Sequence, residues 1–406
     1  MYKRESVRRA IRQLSKLSRR LYRDNVASRI DFRDWLKDPD NKAFLEKSFG
    51  YHRMPKSAPP IESLISVNFH PDLPLMIWNY AHAAQGALYA FPRGWTYVLR
   101  ICRGVVFDSG GNLCALPFPK FFNVDDEHPT LGGLTGRSFE ATVKQDGHLA
   151  IIFRYRDRFV LTTRGSFTSR SARSGQERLD TTIAINRPTW ESLIDGKTTI
   201  LAEMINEDTR VVEDYGKTNE FRVIGFIDHD ILIDHRYPRL HILANQLGIA
   251  CTGLASFDVI EDVLTRVRQC YLGDIEGYVV RMDDGERIKF KTAGYLNDWF
   301  WYQKMGKNQE RLLRYCLRLV MNGNFEAMLG LLVPERKARV NAEISRVITA
   351  IRKMDITLTP SGQLPLRVTK ELYDLLPEGA KPPDKQVIRD FTKWSLERGH
   401  PEIILT

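Results

Sequence analysis

Lys144 stands in EATVKQDGHLAIIF (residues 140–153), a strand-like run interrupted by the turn-forming pair Asp146-Gly147. A lysine at that point either faces water at a strand end or meets an anion, because an unpaired charge on an apolar strand is expensive. With an ordinary pKa of about 10.4 the amine is almost wholly protonated and cannot attack phosphorus. Neighbouring cations disfavour the charged form and lower that pKa, so Lys289, Lys291, Arg164 and a bound metal are expected to depress it. The pattern K-x-D-G is a weak signal alone, and its company along the chain gives it weight. Arg103-Gly104 and Lys120-Phe121-Phe122-Asn123 precede it, and Arg164-Gly165-Ser166 follows in the next hairpin. Glu203, Glu276-Gly277 and Lys289-x-Lys291 complete the series, each in or beside an apolar strand. Two acids and five bases thus converge from a sheet, with Lys289 and Lys291 on one strand face. The carboxylates suit Mg²⁺ or Mn²⁺, hard cations that prefer oxygen. Taken singly, each residue has a plainer reading: a solvated strand end for Lys144, edge-strand charges for Glu203, Glu276 and the lysine pair, and ordinary ion pairs for Arg103 and Lys120.

The elements that must hold these side chains are mostly strands. WTYVLRICRGVVFD, HLAIIFRY, RFVLTTR, TTILAEMI, FRVIGFID, EGYVVRM and ERIKFKT are rich in β-branched and aromatic residues. RYRDRF and RMDDGERI read as hairpin turns. Two helices are expected to interrupt, at about 237–248 and 257–271. HRMPKSAPPIES (52–63) is the best boundary ahead of this region. After Thr292 the pattern turns helical in QERLLRYCLRLVMNG, PERKARVNAEISRVITAIRKM and DKQVIRDFTKWSLERG. The expected organisation is a basic helical extension over 1–58, a β-rich domain over 59–292 and a helical domain over 293–406. The class is α+β with antiparallel strands.

This series resembles the covalent nucleotidyltransferase superfamily of polynucleotide ligases and mRNA capping enzymes. It is most similar to the RNA ligase 1 branch, typified by the phage tRNA-repair ligase. KQDGHL stands as motif I, LAEMIN as motif III, FRVIGFID as motif IIIa, EGYVV as motif IV and IKFK as motif V. Text particular to the branch is present in WNYA (78–81), CRGVVFD (102–108), PKFFN (119–123) and TTRGS (162–166), with Arg210-Val211-Val212 seven residues after Glu203 and Tyr295 four after Lys291. Tyr295 reads equally well as a core aromatic. The likeness runs from about residue 75 to 298. It implies an ATP-dependent, ATP-grasp-like ligase domain in which Lys144 bonds to AMP with loss of pyrophosphate. The adenylate then passes to an RNA 5′-phosphate, and a 3′-hydroxyl displaces AMP and seals the strand. Lys144, Lys289, Lys291 and Arg164 are the implied catalytic residues. Arg103, Lys120 and Lys289 are implied in phosphate contacts, and Lys291 in contact with the AMP α-phosphate. Phe122, Val143, Asp146 and Gly147 complete the implied nucleotide site, with Glu203 and Glu276 holding Mg²⁺ or Mn²⁺. Phe122 or Phe226 is a candidate to stack on adenine. His148 departs from the small hydroxyl residue usual after the motif I glycine, and Arg164 from a lysine common at its site. Leu149 occupies the position where DNA ligases and capping enzymes carry arginine, which favours the RNA branch.

Composition bounds the partners. The 406 residues are 43% hydrophobic and 27% charged with a net charge of +10, as for a soluble globular chain. No run of eighteen apolar residues marks a membrane span. Nine basic and two acidic residues crowd the first 24 positions, and residues 293–406 hold eighteen and thirteen, so the middle is nearly neutral. Basic ends around a neutral centre suit a polyanion held from outside, and the resemblance implies that it is RNA with 5′-phosphate and 3′-hydroxyl ends, tRNA among the candidates. The N-terminal helix reads as a nucleic-acid or partner helix, a solvated helix packed on the body, or an organellar transit peptide. Five scattered cysteines without C-x-x-C imply reduced thiols and a cytoplasmic protein. DGKTT (195–199) lacks the first glycine of a P-loop, Glu191 standing in its place, so end-healing of broken RNA falls to a separate kinase or phosphatase. DHDILIDH (228–235) reads as a solvated turn. A GTP-using capping or DNA-joining enzyme and a non-catalytic RNA-binding subunit of a repair complex are the alternatives.

Overall fold

Apolar residues at 7, 10, 14, 17 and 21 recur at helical spacing, and α1 (Arg4–Asn25) buries all five at 0–1% exposure. The computed structural model describes residues 4–25, 31–88, 94–124, 133–206, 218–270 and 275–300, with Ala338 and Ala342 beyond them. Asp31 caps α2 (Phe32–Trp35) through the amide of Arg33, and Asp38 caps α3 (Pro39–Phe49), whose first residue is proline and whose end is closed by Gly50 at φ 69°. β1 (Ile65–Phe69), β2 (Leu75–Tyr80), β3 (Arg103–Asp108) and β4 (Leu113–Ala115) form an antiparallel sheet in that order, with α4 (His82–Ala87) and α5 (Tyr97–Ile101) between β2 and β3. WTYVLRICRGVVFD is therefore a short helix and then a strand, because the Thr96 hydroxyl accepts from the Leu99 amide and starts a turn.

Two further sheets carry the residues of interest. β5 (Phe122–Asn123), β6 (Phe139–Lys144), β7 (His148–Tyr155) and β8 (Arg158–Thr162) are followed by α6 (Arg170–Ile185) and α7 (Arg187–Leu193). These two helices are absent from the sequence expectation. The first is rich in Ser, Thr and Arg with little helix-forming signal, and it is started by the Ser169 cap on the Ala172 amide. Then come β9 (Thr198–Ile205), β10 (Glu220–Asp228), β11 (Ile233–Asp234), α8 (Tyr237–Leu247), β12 (Ala250–Cys251), β13 (Leu254–Ala255), α9 (Ile260–Gln269), β14 (Gly277–Met282) and β15 (Arg287–Lys291). One sheet runs β11-β10-β9-β7-β8 with β12 parallel to β10; the other runs β13-β6-β14-β15-β5 with β5 parallel to β15. Both expected helices of this region and both hairpins, β7–β8 and β14–β15, are present.

The first of two compact units spans Met1–Val267 and Ile275–Lys291; the second spans Arg268–Asp274 and Thr292–Thr406. The boundary expected at 58/59 lies inside the first unit, since the apolar face of α1 shares one core with β2 and β3. Trp78 donates its indole N–H to Ser18 of α1 over 2.8 Å. In the second unit α10 (Ala293–Phe300) begins where Thr292 Oγ1 accepts from the Tyr295 amide at 3.1 Å, and Tyr295 is buried. The three helical stretches expected after residue 300, Arg210-Val211-Val212 and Cys316 lie outside the described residues. Among the described residues Cys102, Cys114, Cys251 and Cys270 are free, and no helix is long and apolar enough to cross a membrane.

Candidate active site

Alternation along three neighbouring strands builds a charged floor. On β6, β14 and β15 the residues Ala141, Tyr278, Val280, Met282, Ile288 and Phe290 turn into a core with Ile260, Val263 and Val267 of α9. The alternate residues must then face the other way. Pairing register aligns them in three rows: Lys144–Gly277–Lys291, Thr142–Val279–Lys289, and Glu140–Arg281–Arg287. The second sheet supplies the facing wall. Leu149 and Glu203 are partners in its β7–β9 ladder, and with Ile224 they line one cleft together with Lys144, Val143, Lys289, Arg103, Arg281 and Arg287.

Two glycines make the approach possible. A Cβ on Gly147 would lie 2.3 Å from the Met204 carbonyl oxygen, so the turn after Lys144 can lie directly on β9 beside Glu203 only as glycine. Gly277 has φ 147° and a Cβ there would fall 2.0 Å from the Phe290 carbonyl oxygen. The K-x-D-G and E-G pairs of the sequence are thus packing requirements at the two points where charge is delivered.

Glu276, 3% exposed, sits one residue before β14 and binds both ends of the first row. Its Oε2 accepts from Lys144 Nζ in a close ion pair, and its Oε1 lies 2.8 Å from Lys291 Nζ. Burial opposes the Glu276 charge, but Lys144 and Lys291 outweigh it and hold the carboxyl below its usual range. Burial likewise opposes the Lys144 ammonium, but Glu276 and Glu203 raise its pKa above the ordinary lysine value. This corrects the expectation for the side chains Lys289, Lys291 and Arg164: the charges that dominate at Lys144 are the acids Glu276 and Glu203. Lys289 is the lysine held well below its ordinary value, by burial first and then by Arg103, Lys144, Lys120 and Lys291. Burial pushes Glu203 up to about 7 against the pull of Lys144.

Beyond the floor lies a cationic cluster on aromatic faces. Arg103 and Lys289 flank Phe121, with the guanidinium 5.8 Å and the ammonium 4.8 Å from the ring centre. Lys120 lies 4.6 Å from the Trp95 ring and 5.1 Å from Phe122. Arg164 covers Tyr80 at 4.9 Å and donates to its hydroxyl over 3.3 Å. Burial alone would raise the Tyr80 phenol, but Arg103, Arg164 and Lys120 hold it below its usual value. Lys120, Phe122 and Arg164 therefore stand beside the cleft and not on its lining, with Arg103 joining the two. Phe226 packs in the apolar core behind the second sheet, 5.7 Å from the His235 ring, so neither candidate for base stacking lines the cleft. Its apolar walls are Phe118, Ile224, Tyr237 and Leu240. His148 has its pKa lowered by burial, and its Nδ1 lies 2.9 Å from Ser171 Oγ.

Several contributors escape sequence reasoning. Gln145 accepts from Arg222 at 2.6 Å and donates to Thr252 at 3.3 Å, tying the motif I turn to β10. Arg281 is 3.0 Å from Asp234 and 3.4 Å from Glu140, and Arg287 closes on the same Asp234 while lying 3.8 Å from the Phe118 ring. Arg287 Nη1 and Asp234 Oδ1 are buried without a hydrogen-bond partner. The signal for Arg281 and Arg287 was present: they extend the period of two through Val279 and Lys289.

Among the described residues no group of three or more His, Cys, Asp or Glu could hold a metal ion. Mg²⁺ needs no such cage, because one or two carboxylates serve with substrate phosphates and water. Glu276 is buried and Glu203 half-buried, and the Glu276 charge adds to the rise of the Glu203 pKa, so the pair fits a divalent cation that arrives with phosphates.

A family model described as RNA ligase matches residues 101–309. Solved structures of the Naegleria gruberi RNA ligase are similar over part of the chain. A lysine-to-alanine variant with ATP and Mn is 18% identical with a TM-score of 0.36, covering 44% of this chain and 56% of that one. A glutamate-to-alanine variant with AMP and Mn is 19% identical with a TM-score of 0.35, covering 44% and 56%. The same ligase with PPi is 18% identical with a TM-score of 0.37, covering 47% and 58%. The chain thus spans little more than half the length of those ligases. No curated protein sequence matches it. The family match takes in Arg103, motifs I to V and the whole charged floor, and the chain belongs to the RNA ligase family.

Proposed function

We propose that this protein is an ATP-dependent RNA ligase that joins 5′-phosphate and 3′-hydroxyl RNA ends through a lysyl-AMP intermediate. The observation that carries the reading is the row Lys144–Gly277–Lys291 clamped by buried Glu276, opposite Glu203, in a chain of the RNA ligase family. Lys144 loses its proton and its Nζ attacks the α-phosphorus of ATP; a P–N bond forms and pyrophosphate leaves. In this reading Arg103, Lys120 and Lys289 receive the phosphates, and Lys291 the charge on the α-phosphate. Burial and its cationic neighbours hold the Lys289 pKa well below the ordinary lysine value, and arriving phosphate charge acts to raise it. Glu203 and Glu276 would hold Mg²⁺ or Mn²⁺, which would supply charge neutralisation at the phosphates and offset the carboxylate charge that raises the Lys144 pKa. AMP then moves from Lys144 to the RNA 5′-phosphate oxygen, and the 3′-hydroxyl attacks that 5′-phosphorus with AMP leaving.

The free cysteines suit a reducing cytoplasmic compartment. RNA repair, with tRNA as one candidate substrate and a separate enzyme healing the ends, is the setting that fits. The test is incubation with radiolabelled ATP or GTP and a divalent cation, for the wild type and Lys144→Ala. Label from ATP on the wild type alone is expected. Label from GTP and not ATP would give the chain to the capping class. No label with either would leave an RNA-binding subunit.

A further inference from the structure

The outward side of α1 carries one row of cations. Arg4, Arg8, Arg12 and Lys16 are all exposed and recur at every fourth residue, about 6 Å apart along the axis. The row is held rigidly, because the opposite side is core: Val7, Leu14, Leu17 and Leu21 are fully buried, and Ser15 Oγ donates to the Gly111 carbonyl over 2.6 Å. Nearby acids are already engaged. Glu5 lies 3.8 Å from Arg9, and Asp283 and Asp284 are each 2.8 Å from Arg137. At its N-terminal end the row enters a groove where Arg4, Arg8, Arg236 and Arg281 stand with Glu5, Asp283, Asp284 and Asp234, the last paired with Arg281 and Arg287. His235 and Arg281 line both this groove and the nucleotide cleft. The row and the cleft therefore share a border.

We propose that the Arg4–Arg8–Arg12–Lys16 ridge seats the phosphate backbone of a single RNA strand and leads it to the cleft. The inference rests on the ligase reading above. Phosphates need only charge at regular spacing, and the ridge offers that without sequence preference. A protein partner would need an apolar or aromatic centre to anchor it. The large exposed hydrophobics among the described residues are Ile185, Ile231, Ile242, Leu254, Val259 and Leu296, none of them on α1.

The test is the triple variant Arg8→Gln, Arg12→Gln, Lys16→Gln, with Arg8→Lys, Arg12→Lys, Lys16→Arg as the charge-keeping control. Lysyl-AMP formation from ATP without RNA is expected to match the wild type in both. Binding of a 5′-phosphorylated single strand is read between 50 and 200 mM salt. Each phosphate contact contributes about 0.7 to the logarithmic salt slope, so the Gln variant loses about 2 from it. The wild type should then lose about twentyfold more affinity than the Gln variant over that range, and the control should follow the wild type. Wild-type slope and affinity in the Gln variant, whether or not a protein binds there instead, would overturn the proposal. So would loss of lysyl-AMP in the Gln variant, because the ridge would then serve the cleft and not the strand. A wild type that seals no RNA while the slopes still differ would sink the ligase reading and leave the ridge as an RNA seat.

Discussion

Replacing Glu203 by glutamine probes the cleft where its electrostatics are most extreme. Burial pushes this carboxyl from 4.5 up to about 7, with Glu276 and Asp146 adding to the rise and Lys144 and Arg103 opposing it. An acid whose folded pKa exceeds its unfolded one takes up a proton on folding between the two values. Stability is then complete below the unfolded pKa and falls as pH rises towards the folded one. At 1.36 kcal/mol for each pKa unit, the rise costs the wild type about 3 kcal/mol at high pH, most of it between pH 5 and pH 8. Glutamine keeps the shape of the protonated acid and cannot ionise. In chelator, Glu203→Gln is expected to unfold in urea within about 1 kcal/mol of the wild type at pH 5, and to be the more stable of the two by about 3 kcal/mol at pH 8. Tryptophan fluorescence follows the transition, since Trp35, Trp78 and Trp190 are buried in the first unit. A gap of equal size at both pH values, or a variant that is the weaker at pH 8, would refute the reasoning.

Three other outcomes follow from particular contacts. Leu14→Ala should cost about 3 kcal/mol in the urea stability of the first unit, because a fully buried leucine is lost from a shared core; a change under about 0.5 kcal/mol would mean that α1 stands apart from that core. Gly147→Ala should cost about 2 kcal/mol and remove lysyl-AMP formation, since its Cβ falls 2.3 Å from the Met204 oxygen and must push the turn off β9; normal labelling would show that the turn has room. His148→Ser should label within about threefold of the wild type, a change of less than about 1 kcal/mol, because the imidazole pairs with the Ser171 hydroxyl and a serine keeps a polar group there; a loss beyond about a hundredfold would give His148 a chemical role.

The strands and the charges on them were legible because both obey a period of two. Lys144, Glu203, Glu276, Lys289 and Lys291 each break an apolar alternation, and an interruption of that kind is visible without coordinates. Strand order was not legible, and order decides which charges meet. β14 lies between β6 and β15, although more than 130 residues separate Lys144 from its partner Gly277. That insertion brings Glu276 between two lysines, so residue counting gave the wrong sign for Lys144. Lys289 and Lys291 are neighbours of Lys144 in any tally of motifs, but only geometry shows that the carboxylate of Glu276 stands between Lys144 and Lys291. At ion-pair distance the nearest opposite charge outweighs several cations further off, since Coulomb energy falls with distance and is screened beyond it. Tyr80 shows the converse. Its motif text marked it only as part of WNYA, yet three cations from β3, the β4–β5 connection and the loop after β8 converge on its phenol and pull its pKa down despite burial. A group's protonation is set by what touches it, and touching across a sheet is the one property a linear pattern cannot display. The protein as it stands therefore keeps its candidate nucleophile paired with Glu276, and reactivity at Lys144 depends on drawing that carboxylate away from it.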